Sequence, residues 1–277
     1  MATPKILYGF GYSLWSAAAE LAVLELGYPE GAVTLKNLDL INGENFDPAF
    51  LKINPNGTMA TLEAGGKVYT STTDVITHLV KQAPRKVKVG TPAIIAAVHD
   101  DKYDPNFALL LARDETELTV KGMQLPGKFF ANRQVALTKY AADPAAAAFK
   151  DFYESRLATN GSLLAIYKRE ATAEAQAAFF ANSKAHWGAV RSALFEVYPA
   201  LLPASGFIGG AEPGEDDFHM IAWITRIAWV AGARSGDEGL SAFNAAYGEP
   251  APDTVAAYWR AWIERPSWKK VYAETLH

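Results

Sequence analysis

The sequence predicts a small α/β domain, a short linker and an all-α domain about twice as large as the first. Three observations predict this order. Strand and helix patterns alternate up to residue 81, Pro, Gly and basic residues then cluster at 84–90, and no convincing strand pattern follows. A chain of 277 residues is long enough for two modest domains. We therefore place one domain at 1–83, the linker at 84–90 and the second domain at 91–277.

Alternating short elements define the α/β domain. An apolar run closed by Gly9 and Gly11 is typical of a strand, and Leu and Ala at helical spacing before Gly27 predict a helix. Gly65 and Gly66 separate two brief strands, which indicates a hairpin. The predicted elements are strands at 5–8, 33–39, 59–63 and 67–70, helices at 13–26 and from 73 onward, and a short helical turn at 47–51.

Ala-rich helical patterns occupy the chain after the linker. Asp143 and Pro144 form a helix start with an N-cap and a proline at the first helical position. Carboxylates at 215–217 stand at the positive end of another apolar helix. Six of the seven Trp lie after residue 180 and are expected to fill a helical core. The predicted helices span 106–118, 132–140, 144–167, 171–201, 217–233 and 253–263.

Composition excludes several classes of function. The chain has no cysteine, which excludes disulfides, thiol nucleophiles and cysteine-based metal or redox sites. Its 26 Lys and Arg against 30 Asp and Glu give a net charge of −4, so no basic surface for nucleic acid or membrane is indicated. The five histidines lack metal-ligand spacing, and no nucleophile elbow or P-loop occurs. Without a signal-peptide or membrane-span pattern, we expect a cytoplasmic protein with no metal.

A glycine-rich turn after the first strand has two interpretations. Gly9 and Gly11 precede a helix and Asp39 ends the next strand, which is the outline of a dinucleotide-binding βαβ unit. The third glycine of that motif is replaced by Leu14, and an antiparallel hairpin follows instead of further βαβ units. The sequence therefore disfavours NAD or FAD binding.

Short motifs in a fixed order run along nearly the whole chain. They are Leu7-Tyr8, Tyr12-Ser13, residues 24–27, Gly43-Glu44, Phe50-Leu51, residues 54–58, 73–76 and 207–210, and the Arg-Pro segment at 265–272. In this order the chain resembles the cytosolic glutathione transferase superfamily, and segments 119–134 and 209–214 are most similar to fungal members. The resemblance implies a thioredoxin-like, glutathione-binding first domain, an all-helical second domain, a homodimer and a detoxification role.

The resemblance also implies how the thiol of glutathione, the co-substrate, is activated. A thiolate needs hydrogen bonds and a positive potential, and Ser13 lies where the first helix exposes its N–H groups. Tyr12 is a second catalytic candidate, one position away from the family's pattern. The alternative interpretation of Ser13 is a plain helix N-cap.

One departure from the family's pattern concerns a proline. Family members have Val-Pro after the Asn-Pro-x-Gly turn, with a cis proline that presents backbone groups to glutathione. Here Met59 and Ala60 occupy these positions. Because a cis bond before a non-proline residue costs about 2.5–4 kcal/mol, the peptide is expected to be trans.

Other departures affect polar contacts with glutathione. The acidic-Ser pair that holds the γ-glutamyl group is Thr72 and Thr73, which removes a carboxylate. Basic residues common after Gly-Glu are replaced by Asn45 and Phe46, which leaves Lys52 as a compensating charge. The expected contacts to glutathione are therefore weakened, and the site is a degenerate one; its residues are Asn45, Lys52, Met59, Thr72 and Thr73.

A pocket for a second substrate is expected between the two domains. An aromatic wall there suits a planar hydrophobic compound, and the alternative is a packed domain interface. The candidate lining residues, besides Tyr12, are Phe10, Trp15, Phe107, Leu111 and Arg113.

Two functional hypotheses result. The first is an enzyme that uses the glutathione thiol for conjugation to, or thioether cleavage of, a hydrophobic electrophile; the presence of Ser13 favours it. The second is a non-catalytic protein that binds hydrophobic small molecules in the interdomain cleft, which Met59, Phe46 and Thr72 favour. A scaffolding role as a dimer is a third possibility.

Overall fold

A computed structural model describes residues 5–277, beginning with a four-stranded sheet. Its strand order is β2-β1-β3-β4, and β3 runs antiparallel to both β1 and β4. The elements are β1 (Lys5–Gly9), α1 (Leu14–Glu25), β2 (Val33–Asn37), α2 (Pro48–Leu51), β3 (Thr61–Ala64), β4 (Lys67–Tyr69) and α3 (Thr72–Lys81). Their order confirms the predicted α/β arrangement.

The rest of the described chain is helical apart from turns and one isolated bridge between Phe207 and Gly210. The predicted fold class is therefore confirmed. The helices are α4 (Pro92–Val98), α5 (Pro105–Leu110), α6 (Glu115–Met123), α7 (Leu125–Ala141), α8 (Lys150–Lys168), α9 (Ala173–Ser192), α10 (Glu215–Val230), α11 (Gly239–Tyr247), α12 (Asp253–Ile263) and α13 (Pro266–Val271).

Several predicted helix boundaries were wrong. The helix predicted at 106–118 is divided into α5 and α6, because Asp114 caps a new helix by accepting the N–H of Glu117 at 2.9 Å. The helix predicted at 132–140 begins already at Leu125, whose next residue is a proline. Helices α4, α11 and α13 were not predicted, since each is too short for a clear helical period.

Packing groups the chain into two compact units that are discontinuous in sequence. The first contains residues up to Lys36, Met59–Asn106 and Trp187–His277, and the second contains Asn37–Thr58 and Phe107–His186. This grouping describes packing and does not test the domain boundaries predicted from the sequence. The boundaries at 83 and 91 therefore stay a prediction.

Helix α10 forms the centre of the first unit. Every residue from Glu215 to Ala228 is buried, including the three acidic residues of its first turn. Asp217 accepts hydrogen bonds from the backbone N–H groups of Gly209 and Gly214 at 2.7 and 2.8 Å, and from the hydroxyl of Tyr258 at 2.9 Å. These donors compensate for the burial of the carboxylate, which fixes the start of the helix.

The segment predicted as a linker is held in place by the same helix. Glu215 accepts the N–H of Gly90 at 2.9 Å, and Asp216 accepts the N–H of Thr91 at 2.8 Å. At the other end of the segment, the N–H of Arg85 donates to the carbonyl of Leu26 at 3.0 Å. Segment 84–90 therefore has fixed partners at both ends within the first unit.

The second unit has two apolar clusters. In the first, Phe46 and Leu51 pack with residues of α7 and α8, and the hydroxyl of Tyr153 donates to the carbonyl of Phe46 at 2.5 Å. The second contains Leu118, Ile166 and partners from α9. The turn between β2 and β3 is thereby anchored on the α7–α8 pair.

Candidate functional site

The turn between β1 and α1 carries the catalytic candidates. The N–H of Ser13 donates to the carbonyl of Phe10 at 2.8 Å, which closes the turn. The N–H of Phe10 donates to the hydroxyl of Ser16, a residue that is only 1% exposed. These two bonds fix the backbone from Phe10 to Ser13, so the serine is held in a defined position.

Ser13 is the N-cap of α1. Its hydroxyl oxygen accepts the N–H of Ser16 at 3.3 Å, and its side chain is half-buried. As an acceptor in this bond, the hydroxyl still has its own hydrogen to donate. The first turn of α1 contains no acidic side chain, so no carboxylate there opposes the positive end of the helix. Ser13 is thus a cap that is also able to donate to an anion.

Tyr12 points its ring toward solvent and its carbonyl into the unit. The side chain is 42% exposed, and its ring centroid lies 5.6 Å from that of Phe10 and 6.1 Å from that of His277. Its carbonyl accepts a hydrogen bond from Nη2 of Arg226 at 2.7 Å. The phenol is therefore available to a ligand, while the peptide behind it is tied to α10.

Trp15 stacks on a histidine. Its ring centroid lies 4.0 Å from that of His99, with the planes 21° apart. His99 Nε2 lies 2.9 Å from His219 Nδ1, and burial lowers the pKa of His99 to about 4. Both imidazoles are therefore neutral near pH 7, because burial also lowers the pKa of His219. One face of the predicted substrate residue Trp15 is thus covered by a neutral ring.

The peptide between Met59 and Ala60 is cis, so the prediction of a trans bond was wrong. That prediction used the cost of an isolated peptide. In the folded chain Met59 is 7% and Ala60 0% exposed, so both residues of this peptide are buried.

Helix α3 begins beside the two predicted threonines. Its N-cap is Ser71, whose hydroxyl accepts the N–H of Asp74 at 3.1 Å and donates to the Asp74 carboxylate at 2.7 Å. Thr72 is buried at 7% exposure and Thr73 is half-buried. The cap position thus belongs to Ser71, which the sequence reasoning missed, and the threonines occupy the first turn.

The second unit holds the other predicted glutathione contacts. Asn45 is 3% exposed and donates from Nδ2 to the carbonyl of Gly57 at 2.7 Å, while its Oδ1 has no hydrogen-bond partner. Phe46 is 1% exposed. Lys52 is exposed at the end of α2. Asn45 therefore closes the turn that precedes β3, and Lys52 is the member of this group with an exposed side chain.

Three residues predicted to contact the second substrate also lie in the second unit. Phe107 is 45% exposed and meets the ring of His186 edge-on at 5.6 Å. Leu111 packs against the second apolar cluster of this unit. Arg113 is engaged by Glu117, with the Arg113 Nε and backbone N–H donating at 2.7 and 2.8 Å. Of the three, Phe107 offers the most open surface.

Two further residues near the β1–α1 turn were missed. Arg226 bonds to the Tyr12 carbonyl, and His99 stacks on Trp15. A signal for Arg226 was present, because it is the only Lys or Arg in the apolar run 218–230. His99 gave no signal, since its contact joins segments distant in sequence.

Across residues 5–277, no group of three or more His, Asp or Glu side chains is arranged to hold a metal ion. Within the same residues, none of the helices combines the length and apolar character needed to cross a membrane.

Comparison with known proteins gave one family match and a set of similar folds. Residues 7–87 match the family model described as glutathione S-transferase, N-terminal domain. The structure of glutathione S-transferase III in apo form is 18% identical, with 98% of this chain and 96% of that chain covered and a TM-score of 0.50.

Two further solved structures agree equally well with the fold. Glutathione transferase F2 from Populus trichocarpa and the glutathione S-transferase from Xylella fastidiosa are each 15% identical, cover 97% of both chains and have TM-scores of 0.50. No curated protein sequence gave a significant match. Residues 7–87 therefore match the N-terminal domain model of glutathione S-transferases, and the chain has the glutathione transferase fold along its length.

Proposed function

We propose that the protein is a glutathione transferase-like enzyme that activates the thiol of glutathione. The observation that carries this proposal is Ser13, a half-buried hydroxyl at the uncompensated N-terminus of α1, within the segment that matches the transferase N-terminal domain. A hydroxyl donor and a helix N-terminus both stabilise a thiolate. Tyr12, with an exposed phenol, is the second candidate donor.

The second substrate in this proposal is a hydrophobic electrophile. Phe10, Tyr12 and Trp15 place three aromatic rings on the segment that carries Ser13. The thiolate sulfur of glutathione attacks the electrophilic carbon, a carbon–sulfur bond forms and a leaving group departs with its electron pair. In the related thioether cleavage, the glutathione thiolate attacks the carbon bonded to the thioether sulfur, a new carbon–sulfur bond forms and the original sulfur departs as a thiolate with the electron pair of the broken bond.

A non-catalytic binding protein is the second candidate. Positions where the resemblance implies charged contacts with glutathione hold buried, uncharged side chains: Phe46 is 1% and Thr72 7% exposed. Loss of one hydrogen bond to a charged group typically costs about 1.5–3 kcal/mol. Glutathione would then bind weakly, and hydrophobic ligands would be the main partners.

Substitution of Ser13 tests the catalytic proposal. Retention on immobilised glutathione and turnover of chlorodinitrobenzene are measured for the wild type, Ser13→Ala, Ser13→Asp and Ser13→Thr. We expect turnover to fall about 10- to 100-fold in the alanine and aspartate variants, since each lacks the hydroxyl donor. The threonine variant keeps the hydroxyl and is expected to keep most of the turnover.

The aspartate variant is the control for the helix cap. Aspartate caps helices as well as serine does, so this variant keeps the cap, loses the hydroxyl donor and adds a carboxylate beside the proposed thiolate. Full activity in Ser13→Asp would assign Ser13 to capping alone. Failure of the wild type to bind millimolar glutathione would overturn the enzyme proposal, and quenching of Trp fluorescence by hydrophobic ligands would then support the binding protein.

We also propose a cytoplasmic homodimer, as the resemblance implies. The elution volume and light scattering of the purified chain, compared with its monomer mass of 30.0 kDa, test the oligomeric state.

A further inference from the structure

A buried arginine contacts the peptide bond that leads into Ser13. Nη2 of Arg226 donates to the carbonyl of Tyr12 at 2.7 Å, and this carbonyl belongs to the peptide that joins Tyr12 to Ser13. Arg226 is 2% exposed and extends from α10, the central helix of the first unit. The side chain thus reaches from the core of the unit to the backbone of the candidate catalytic residue.

The guanidinium has few partners. Its Nε is buried without a hydrogen bond, and its Cζ lies 5.1 Å from the ring centroid of Trp229. The carboxylate that favours its charged form is that of Asp104. A buried charge acts strongly on its surroundings, because solvent does not screen it.

The charge persists at neutral pH. Burial lowers the pKa of Arg226 to about 10, while Tyr272 and Asp104 favour the charged form. The other titratable groups near it are Tyr12 on the turn and His277 beside Tyr12 and Tyr272. Burial lowers the pKa of His277 to about 4, with Arg226 adding to this effect, so His277 brings no second positive charge near pH 7. Arg226 is therefore the persistent cation of this group.

We propose that Arg226 is a positioning residue for thiol activation: it fixes the Tyr12–Ser13 peptide and supplies an unscreened positive charge beside the site of the thiolate. This inference rests on the proposed function. Its geometric part is the hydrogen bond to the Tyr12 carbonyl, and its electrostatic part is the burial of the charged guanidinium. No conventional sequence motif identifies such a residue, since the contact joins positions 12 and 226.

The ionisation of bound glutathione tests the proposal. Ultraviolet absorbance of the thiolate is titrated against pH for the wild type, Arg226→Lys and Arg226→Gln, and the pH profile of kcat/KM is measured in parallel. We expect the midpoint of thiolate formation to rise by about 1 pH unit in Arg226→Gln, because the cation is removed. In Arg226→Lys the charge remains, and the midpoint is expected near the wild-type value.

Arg234→Met is the matched control. Arg234 also donates to a backbone carbonyl, that of Ala233 at 3.0 Å, but its side chain is exposed. Its substitution is expected to leave the midpoint unchanged. Suppose that the wild type lowers the thiolate midpoint of bound glutathione relative to free glutathione, and that a folded Arg226→Gln variant has the same midpoint as the wild type. This result would overturn the role of Arg226 and leave the proposed function standing.

A measurement on the wild type covers the case in which Arg226→Gln does not fold. The midpoint of thiolate formation is measured at about 0.05 M and about 0.5 M salt, because the higher concentration screens surface charges much more strongly. A salt-independent midpoint supports a buried source of charge, whereas a midpoint that rises with salt assigns the effect to surface residues and overturns the proposal. Absence of any thiolate signal in the wild type contradicts the proposed function, and this inference with it.

Discussion

Two glycines in the helical part of the first unit have opposite structural roles. A Cβ on Gly239, the first residue of α11, would lie 2.3 Å from a ring atom of Trp259, whose side chain is 1% exposed. A Cβ on Gly188, an exposed position within α9, would meet nothing within 4 Å. Gly239 is required by its close packing against Trp259. Gly188 occupies an open helical position at which alanine would fit and would favour the helix more than glycine does.

Substitution of these glycines by alanine tests that difference. We expect Gly239→Ala to lower the free energy of unfolding by about 1–3 kcal/mol, because the large indole of Trp259 must move. Gly188→Ala is the matched control and is expected to raise it by about 0.5–1 kcal/mol. Urea unfolding followed by circular dichroism measures both values; equal changes of the same sign would contradict the packing argument.

At the scale of elements, an ion pair joins α1 to α13. Glu25, the last residue of α1, is 5% exposed and accepts hydrogen bonds from Arg265 Nε and Nη2 at 2.7 and 2.6 Å. The hydroxyl of Ser267 donates to the same carboxylate, and Arg265 also pairs with Glu212 at 2.8 Å. The Arg-Pro segment noted in the sequence thus anchors the helix that carries Ser13.

Removal of Arg265 leaves a buried carboxylate without its cation. We expect Arg265→Met to lower the free energy of unfolding by about 2–4 kcal/mol, since breaking one side of a buried pair exposes the desolvation cost of the other. Arg260→Met, an exposed arginine on α12, is the control and is expected to change it by less than about 0.5 kcal/mol. The double variant Glu25→Gln/Arg265→Met should lose less free energy of unfolding than Arg265→Met alone. A loss equal to the sum of the losses in the two single variants would argue against direct coupling of the two side chains.

At the scale of the whole molecule, stability is expected to depend on pH through the His99–His219 pair. Burial lowers the pKa of His99 from 6.5 to about 4, and it lowers that of His219 as well. The unfolded chain therefore binds more protons than the folded chain between about pH 4 and 6.5. The contribution of the neutral histidines to the free energy of unfolding is fully present above about pH 6.5. It decreases as the pH falls toward 4, by up to about 3 kcal/mol for His99.

Urea unfolding between pH 4 and 7, followed by Trp fluorescence, measures this dependence. His219→Leu removes one titrating group from the core, so its free energy of unfolding should fall less steeply over the same pH range. A variant with the wild-type slope would show that other groups cause the acid sensitivity. Comparison of slopes is used because the substitution also changes the stability at pH 7.

Much of the fold was predictable because it rests on local patterns. Glycines after apolar runs marked β1 and α1, and the acidic residues at 215–217 marked the start of α10. Asp143 caps a short 3-10 helix, Pro144–Phe149, that precedes α8. Ser13 was predicted at a helix N-terminus and is found as the N-cap of α1. Such features depend on residues within one turn of each other, which the sequence contains directly.

The sequence by itself thus determined the strand and helix order up to residue 81, the α/β-then-helical fold class and the position of Ser13 at a helix start. Only the tertiary structure decided that Arg226 bonds to the Tyr12 carbonyl, that His99 covers Trp15, and that the peptide after Met59 is cis. The physical reason for the two contacts is distance along the chain: each joins segments far apart in sequence, for which local propensity and periodicity carry no information.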